Sequence, residues 1–235
     1  MLNQVIFNNK KLNDYMIIKE VKNSLLPSLS SRSIKISGQN GEYFVRREMG
    51  IREITVEAEI IADNDRELER KLRRAVEVLS TNEPKFLITD GQKYKAILDG
   101  STILGNIKAD RTITMNFIAH DPLSYGNHRE VKAENGQKLF NGGTYEARGE
   151  ISFVAQNELV TIQLRAGNPQ DFIRISGLTV GQNVKIDMIN ENTFLGGDLI
   201  YVDPIGDYFA FPSGEFQLDI YGTNEINVSF YERWL

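Results

Sequence analysis

Between residues 53 and 60, apolar and polar side chains alternate along the chain. The apolar positions are Ile54, Val56, Ala58 and Ile60. The residues between them are acidic, apart from one threonine. A period of two is typical of a β-strand with one face against a core and the other in water. The pattern therefore predicts a strand here with an acidic outer face.

A helical pattern follows directly. Asn64 stands three residues before Glu67, which is the spacing of a helix N-cap and its capping-box partner. The apolar residues beyond it recur at helical spacing: Leu68, Leu72, Ala75, Val76 and Leu79. The spacing predicts one amphipathic helix that begins after Asn64 and ends near Ser80, with its arginines on the exposed side.

Short strand patterns complete this first part of the chain. Residues 86–88 and 94–98 flank a turn at Asp90 and Gly91, and residues 113–117 alternate again. The last strand ends in Asp121, Pro122 and Leu123. The order strand, helix and antiparallel meander predicts a compact α+β unit.

The chain before this unit has weaker patterning. Apolar residues on either side of residues 8–11 predict an opening hairpin, which residues 16–18 extend. Residues 21–37 show no steady alternation, and they are interpreted either as an extended arm or as an ordinary connecting loop. Gly38 and Gly41 enclose a predicted turn between residues 34–36 and 43–45.

The residues next to this turn offer no ligand site. The strand pattern after Gly41 does not suit a phosphate-binding loop, which needs a following helix. Arg46, Arg47 and Arg52 form a basic cluster around Gly50. We interpret these arginines as solvated, or paired with acidic residues across strands, because exposed ion pairs contribute only about 0 to 1 kcal/mol.

The second half of the chain reads as strands alone. About seven short apolar runs are separated by turn residues and show no helical stripe; they lie at 151–154, 160–164, 172–175, 184–188, 199–202, 216–220 and 226–230. Such spacing predicts a sandwich of two sheets. Turn-forming residues accumulate between Pro122 and Val131, so the predicted domains are residues 1–125 and 131–235.

Several stretches, taken in order, resemble one known family. The segments LLPSLSSRSIKISGQNGEYF, DNDRELERKLRRAVEVLS, EPKFLITDGQKYKAILDG and TITMNFIAHDPLSYG resemble the N-terminal domain of phage distal tail (Dit) proteins, the siphovirus-type tail component family. LTVGQNVKID, FAFPSGEFQLDIYG and INVSFYERWL resemble their C-terminal half. The residues that mark the likeness are Gly38, Gly41, Asn64, Asp121 and Pro122.

The resemblance implies both a fold and a role. The fold is mainly β, with an α+β first domain (a split barrel or sandwich with one amphipathic helix) and a galectin-like β-sandwich as second domain. The role is structural: a ring, expected to be a hexamer, at the tip of a long non-contractile phage or prophage tail. Its implied partners are further copies of the chain, the tail tube protein, the tail-associated or tail fibre protein, and receptor-binding or baseplate proteins. In such proteins N-terminal segments help neighbouring subunits to clasp each other.

Composition excludes several other classes of function. The chain has 235 residues, of which 41% are hydrophobic, as in ordinary globular proteins. Because it contains 0 cysteines, thiolate catalysis and cysteine metal sites are excluded. A formal charge of -5 argues against a nucleic-acid partner. With no signal peptide and no long apolar run, we expect no membrane insertion and assembly in the bacterial cytoplasm.

Motifs for catalysis or metal binding are weak. The spacing of His120 and His128 does not suit a zinc pair, and both are interpreted as polar linker residues. Asp63 and Asp65 lack the glycine and distant glutamate of a calcium loop, so helix capping explains them better. No nucleophile motif occurs. We therefore expect no enzyme activity, no cofactor and no metal.

One alternative function comes from the aromatic residues late in the chain. A sugar-binding platform would use exposed rings, for which Tyr201 and Tyr208 are the candidate sugar or partner contacts. The competing interpretation is that these rings fill the space between two sheets. The rival hypothesis is thus a carbohydrate-binding adhesion module that acts through the C-terminal sandwich, since a galectin-like shape does not by itself confer a ligand.

Overall fold

Strands make up most of the regular structure of the chain, which divides into two units. The computed structural model describes residues 4–100, 103–104, 111–165, 167–196, 198–200 and 205–235. One unit comprises residues 1–124 with residue 235, and the other comprises residues 125–234. Strands account for 55% and helix for 8% of the structure, which confirms the predicted mainly β fold class. That residues 1–125 and 131–235 fold as separate domains remains a prediction.

The first unit is built on one large antiparallel sheet. Its strands, in chain order, are β1 (Val5–Phe7), β2 (Lys10–Lys11), β3 (Ile17–Asn23), β4 (Leu29–Ile34), β5 (Tyr43–Met49), β6 (Arg52–Glu59), β7 (Lys85–Thr89), β8 (Gln92–Leu98), β9 (Ile103–Leu104) and β10 (Thr112–Ala119). Among the described residues, eight of them form the sheet, in the order β2-β1-β7-β8-β10-β6-β3, with β9 on β10. The remaining two, β4 and β5, form a separate two-stranded sheet within the described part of this unit.

The alternation in β6 places its apolar side chains in the core of this unit. Ile54, Val56 and Ala58 are fully buried, and β10 pairs with β6 along its whole length. Phe7 and Phe117 meet in the same core, with ring centroids 5.0 Å apart. On the other face, Glu57 and Glu59 form ion pairs with lysines of β3. The predicted acidic outer face is therefore largely neutralised by its neighbour strand.

A single helix in the described residues, α1 (Asp65–Leu79), covers the sheet. Asn64 is its N-cap, as predicted, and Ser80 is its C-cap. Leu68, Ala75 and Leu79 are buried in the core of this unit, but Val76 is exposed and Val78 takes its place. The prediction that Val76 belongs to the buried stripe was wrong. The buried face continues from Ala75 to Val78 and Leu79, three and four residues later, and Val76 points away from it.

The second unit is a sandwich of two antiparallel sheets. Its strands are β11 (Ser124–Glu134), β12 (Lys138–Asn141), β13 (Gly149–Val154), β14 (Leu159–Leu164), β15 (Phe172–Ser176), β16 (Asn183–Asp187), β17 (Asn192–Leu195), β18 (Asp198–Ile200), β19 (Ile205–Gly206), β20 (Gly214–Tyr221) and β21 (Glu225–Trp234). In the described part of the unit, one sheet has the order β11-β21-β13-β16-β17-β18 and the other β12-β20-β14-β15-β19. Buried residues of both sheets form one core cluster.

Strand β11 occupies the segment that was predicted to be a linker. It pairs with β21, and His128 lies within it, hydrogen-bonded to Ser229 at 2.9 Å between Nε2 and Oγ. The linker interpretation of His128 was therefore wrong, whereas His120 lies in an exposed bend after β10. Of the predicted run 199–202, residues 201 and 202 lie outside the described residues. That the sandwich is galectin-like stays a prediction.

Candidate functional site

The hairpin of β4 and β5 is the least supported part of the first unit. All six residues of β4 and the first six of β5 are exposed. Large apolar side chains are among them: Tyr43 is 68%, Phe44 57% and Ile34 55% exposed. Ile34 pairs directly with Tyr43 across the hairpin. An isolated two-stranded hairpin is at best marginally stable in water, so its exposed apolar side chains make this element a candidate contact surface.

The turn of this hairpin requires its glycines. Gly38 has φ +83° and Gly41 has φ +87°, both in the left-handed region that favours glycine. Nothing lies within 4 Å of a Cβ built at either position. Backbone conformation alone, and not packing, therefore explains these two residues.

The base of the hairpin is tied to the rest of the unit by backbone hydrogen bonds. Gly50 N donates to Ser28 O over 2.7 Å, and Ser28 N donates to Ile51 O over 3.3 Å. The Ser28 hydroxyl also donates to Ile51 O at 3.0 Å. Residues 21–37 are thus not a patternless loop but the end of β3, a short crossing and one strand of the hairpin.

Arg52 anchors the segment that leads into the hairpin. Its side chain is buried, with the residue only 2% exposed. Nε donates to Pro122 O at 2.8 Å, and Nη1 donates to Ser24 O at 2.5 Å and to Asn23 Oδ1 at 3.2 Å. The guanidinium also lies 5.2 Å from the ring centroid of Tyr94.

The interpretation of Arg52 as a solvated or surface-paired residue was therefore wrong. The sequence did contain the signal that was missed. Arg52 lies two residues before Ile54 and four before Val56, so its side chain lies on the same buried face of β6. Arg46 does behave as an exposed residue, and it pairs with Glu48 at 2.5 Å.

Asp121 and Pro122 form the exit from β10. The Asp121 carboxylate accepts a hydrogen bond from Leu123 N at 3.3 Å, an arrangement that holds the chain in a turn. Pro122 contributes the carbonyl that Arg52 binds. These two residues therefore fix the exit of the first unit to the start of its hairpin segment.

Asn64 acts at the start of the helix. Its Oδ1 accepts a hydrogen bond from Glu67 N at 2.9 Å. The Glu67 carboxylate in turn accepts a hydrogen bond from Asp63 N at 3.0 Å. A standard capping box would instead use the backbone N–H of the N-cap, here Asn64. The Asp63 amide and the Lys71 ammonium lower the pKa of Glu67. Asn64 and Glu67 therefore set where the helix begins.

The two candidate sugar-contact tyrosines are placed differently. Tyr208 is half-buried, and its hydroxyl lies 3.1 Å from Thr193 Oγ1. It lines a cavity with Arg148, Arg165 and Asp171. Tyr201 lies outside the described residues. Their role as contacts for sugar or partner stays a prediction.

The clearest candidate site in the described residues is a surface for contact with another protein. Among them, no group of His, Asp and Glu side chains is arranged to hold a metal ion. Within the same part of the chain, no helix has the length and apolar character needed to cross a membrane. What the first unit does present is an apolar hairpin on a fixed base, an arrangement suited to contact with another protein.

Comparison with known structures shows a shared fold over the whole chain. The Dit protein of phage SPP1, described as a hub of the adsorption apparatus in phages that infect Gram-positive bacteria, superposes with a TM-score of 0.82 at 18% identity and 100% coverage of both chains. Chains of the phage p2 baseplate in its activated conformation match with TM-scores of 0.52 (with Sr) and 0.51 (with Ca), at 11% and 12% identity, covering 97% of this chain and 98% of theirs. A search of curated protein sequences finds no match.

Two family models divide the chain between them. Residues 10–119 match the phage tail protein RIFT-related domain. Residues 142–234 match the C-terminal domain of the siphovirus-type tail component. Together they span most of both units. The chain therefore belongs to the siphovirus-type tail component family, the distal tail proteins of phages.

Proposed function

We propose that this chain forms a closed ring, with six copies, at the tip of a long non-contractile tail. Head-to-tail contacts that close under rotation are the simplest way to build such a ring, and they use two different surfaces of each subunit. The observation that carries the proposal is the β4–β5 hairpin, with apolar side chains that its own chain leaves exposed. In the ring, each hairpin packs on the neighbouring subunit.

The energetics of the hairpin favour this arrangement. Covering one large apolar side chain contributes about 1.5 to 3 kcal/mol. Tyr43, Phe44 and Ile34 are each more than half exposed at the far end of the hairpin, where Tyr43 and Ile34 share one face and Phe44 lies on the other. Burial of these side chains against a neighbouring subunit would offset the cost of ordering two strands that are tied to their own unit only at the hairpin base, as far as the described residues show.

The ring would connect several tail components. We propose that it seats between the tail tube protein and the tail-associated protein, and that the second unit docks receptor-binding or baseplate proteins. The match to chains of a phage baseplate supports this placement. The chain would be made in the host cytoplasm and act by assembly, without catalysis.

The sharpest test removes the hairpin and leaves the rest of the unit intact. Residues 29–49 are replaced by a short glycine-serine linker, because Ser28 and Gly50 are already joined by a backbone hydrogen bond. We expect the intact chain to form a hexamer by light scattering at high concentration and the shortened chain to remain a monomer with unchanged thermal unfolding. A shortened chain that still forms the same oligomer would refute the role of the hairpin.

A point variant separates the apolar contact from the loss of the whole element. Tyr43→Glu with Phe44→Glu places charges where we expect a buried contact, so the ring should dissociate. The matched control is Val180→Glu with Tyr221→Glu in the second unit, where the two side chains are 67% and 57% exposed. The control should leave the mass of the oligomer unchanged. Equal effects of both pairs would point to non-specific association.

A further inference from the structure

A cavity of about 570 Å³ opens on the outer face of the six-stranded sheet in the second unit. Four side chains cross it in a row, since Asn227 pairs with Ser152, Ser152 with Lys185, and Lys185 with Phe194. Their chain neighbours Val184, Leu195 and Ile226 are buried, so the row faces away from the core. With strands about 4.8 Å apart, the row is about 14 Å long.

Three side-chain amides in this cavity form no hydrogen bond within the described part of the protein. Gln156, Asn183 and Asn227 line it, and none of their side-chain amides hydrogen-bonds to any described residue. A primary amide carries two donors and an acceptor side by side. Three such groups around one cavity suit a ligand that presents several hydroxyl groups, each of which both donates and accepts.

The charges in the cavity are already neutralised. Lys185 forms an ion pair with Glu150 at 2.7 Å, and Glu225 forms one with Lys132 at 2.8 Å. No unbalanced charge therefore remains among the charged residues that line this cavity to select an anionic or cationic ligand. Phe194 adds a half-buried aromatic ring at one end of the row. The face of such a ring binds the electropositive C–H surface of a ligand.

We infer that this groove binds a short neutral oligosaccharide. The amides of Asn183, Asn227 and Gln156 would bind its hydroxyl groups, and Phe194 would stack against one sugar ring. The cavity volume lies within the range of small-molecule sites. The site is distinct from the cavity that contains Tyr208, and it would act independently of ring assembly.

The test uses the full chain and a panel of immobilised neutral oligosaccharides built from glucose, galactose or N-acetylhexosamine units. The best binder is then measured in solution by titration calorimetry. We expect Phe194→Ala and the double variant Asn183→Ala with Asn227→Ala each to bind about tenfold more weakly. The amide variant should fold normally, because the side chains of Asn183 and Asn227 hydrogen-bond to no described residue. Phe140→Ala, an exposed aromatic on the other sheet, and Tyr208→Ala should bind as the unmodified chain does.

Each other outcome overturns the proposal. Binding that is lost only in Tyr208→Ala would place the site in the other cavity. Absence of binding to every member of the panel at millimolar concentration would exclude a neutral saccharide. A change of oligomeric mass in Phe194→Ala, without a sugar effect, would make this face a contact between protein subunits.

Discussion

Arg52 joins three parts of the first unit through one buried guanidinium. It binds the carbonyl of Pro122 at the exit of β10 and the carbonyl of Ser24 ahead of the hairpin, and it lies against Tyr94. Because Arg52 is itself buried, its charged guanidinium needs such hydrogen-bond acceptors. Arg52 therefore helps to fix the segment that leads into the hairpin, together with the hydrogen bonds among Ser28, Gly50 and Ile51 at the hairpin base.

Replacing Arg52 should destabilise this unit strongly. Arg52→Met keeps much of the apolar stem but leaves the carbonyls of Pro122 and Ser24 without their donor, at a cost of about 2 to 4 kcal/mol in the free energy of unfolding. Urea denaturation measures the change. Arg47→Met, an exposed arginine of β5, should change the free energy of unfolding by less than about 0.5 kcal/mol. Similar losses in both variants would contradict the anchoring role.

The start of the helix should carry a pH-dependent contribution from Glu67. Its pKa in the folded chain is lowered by the Asp63 amide and by Lys71. A lowered folded pKa stabilises the folded state above the ordinary carboxyl pKa, and this stabilisation is lost as pH falls through the folded value. The destabilisation by Glu67→Gln at pH 7 should therefore shrink in acid.

Chemical denaturation of both proteins between pH 7 and pH 3 gives the comparison. Glu77→Gln is the matched control, because Glu77 lies on the same helix and forms no ion pair with the described residues. The change in unfolding free energy caused by Glu77→Gln is subtracted at each pH as the baseline for removing a carboxylate from this helix. A constant difference between the unmodified chain and Glu67→Gln across the range would show that the charge of Glu67 does not stabilise the fold.

Sequence patterns predicted those strands and helix ends that depend on residues close together in the chain. The strand at 52–59 and the helix cap at Asn64 follow from alternation and capping, which depend on neighbours in sequence. The short strands β12 and β19 were missed because their pairing partners lie far along the chain. β12 pairs with β20, for example, and β19 with β15. Strand β17 pairs with the adjacent β16, and it was missed because two of its four residues, Asn192 and Thr193, are polar.

The hairpin itself shows the same limit. Residues 29–34 carry four polar residues and only two apolar ones, so their pattern resembles a loop. Pairing with β5 makes them a strand, with a register shift between Arg32 and Ser33. The likeness to the tail proteins predicted a clasping arm here, whereas the alternation pattern could not. A role in assembly remains the proposal given above.

Hydrogen exchange should reveal whether the hairpin is covered on assembly. Strands with few packing contacts open readily, so the amides of residues 29–49 should exchange quickly in dilute protein. At concentrations that favour the ring, we expect their exchange to slow at least about tenfold. The amides of β13 serve as the internal control and should not change. Fast exchange of the hairpin in the assembled state would place the subunit contact elsewhere.

As a whole, the chain is a phage tail component that works together with other tail and baseplate components. Its two units have separate cores, one for each unit. The function proposed above uses both units, the first for ring formation and the second for docking. Strand β11 links the two units along the chain. It begins directly after the exit from β10 and pairs with β21, the last strand of the second unit.

The boundary between the units can be tested by truncation. Glu232 is buried, 2% exposed, and its carboxylate accepts hydrogen bonds from Arg129 at 2.7 Å and from Asn127 at 3.3 Å. A fragment of residues 125–235 keeps both partners, whereas one of residues 131–235 loses both of them together with the first half of β11. Because Arg129 is itself partly exposed, we expect the free energy of unfolding of the shorter fragment to fall by about 2 kcal/mol or more, enough to lower its melting temperature by several degrees.

Arg129→Met in the longer fragment should reproduce much of that loss of stability. Equal melting temperatures for the two fragments would mean that the second domain begins after the first half of β11, as the sequence alone suggested.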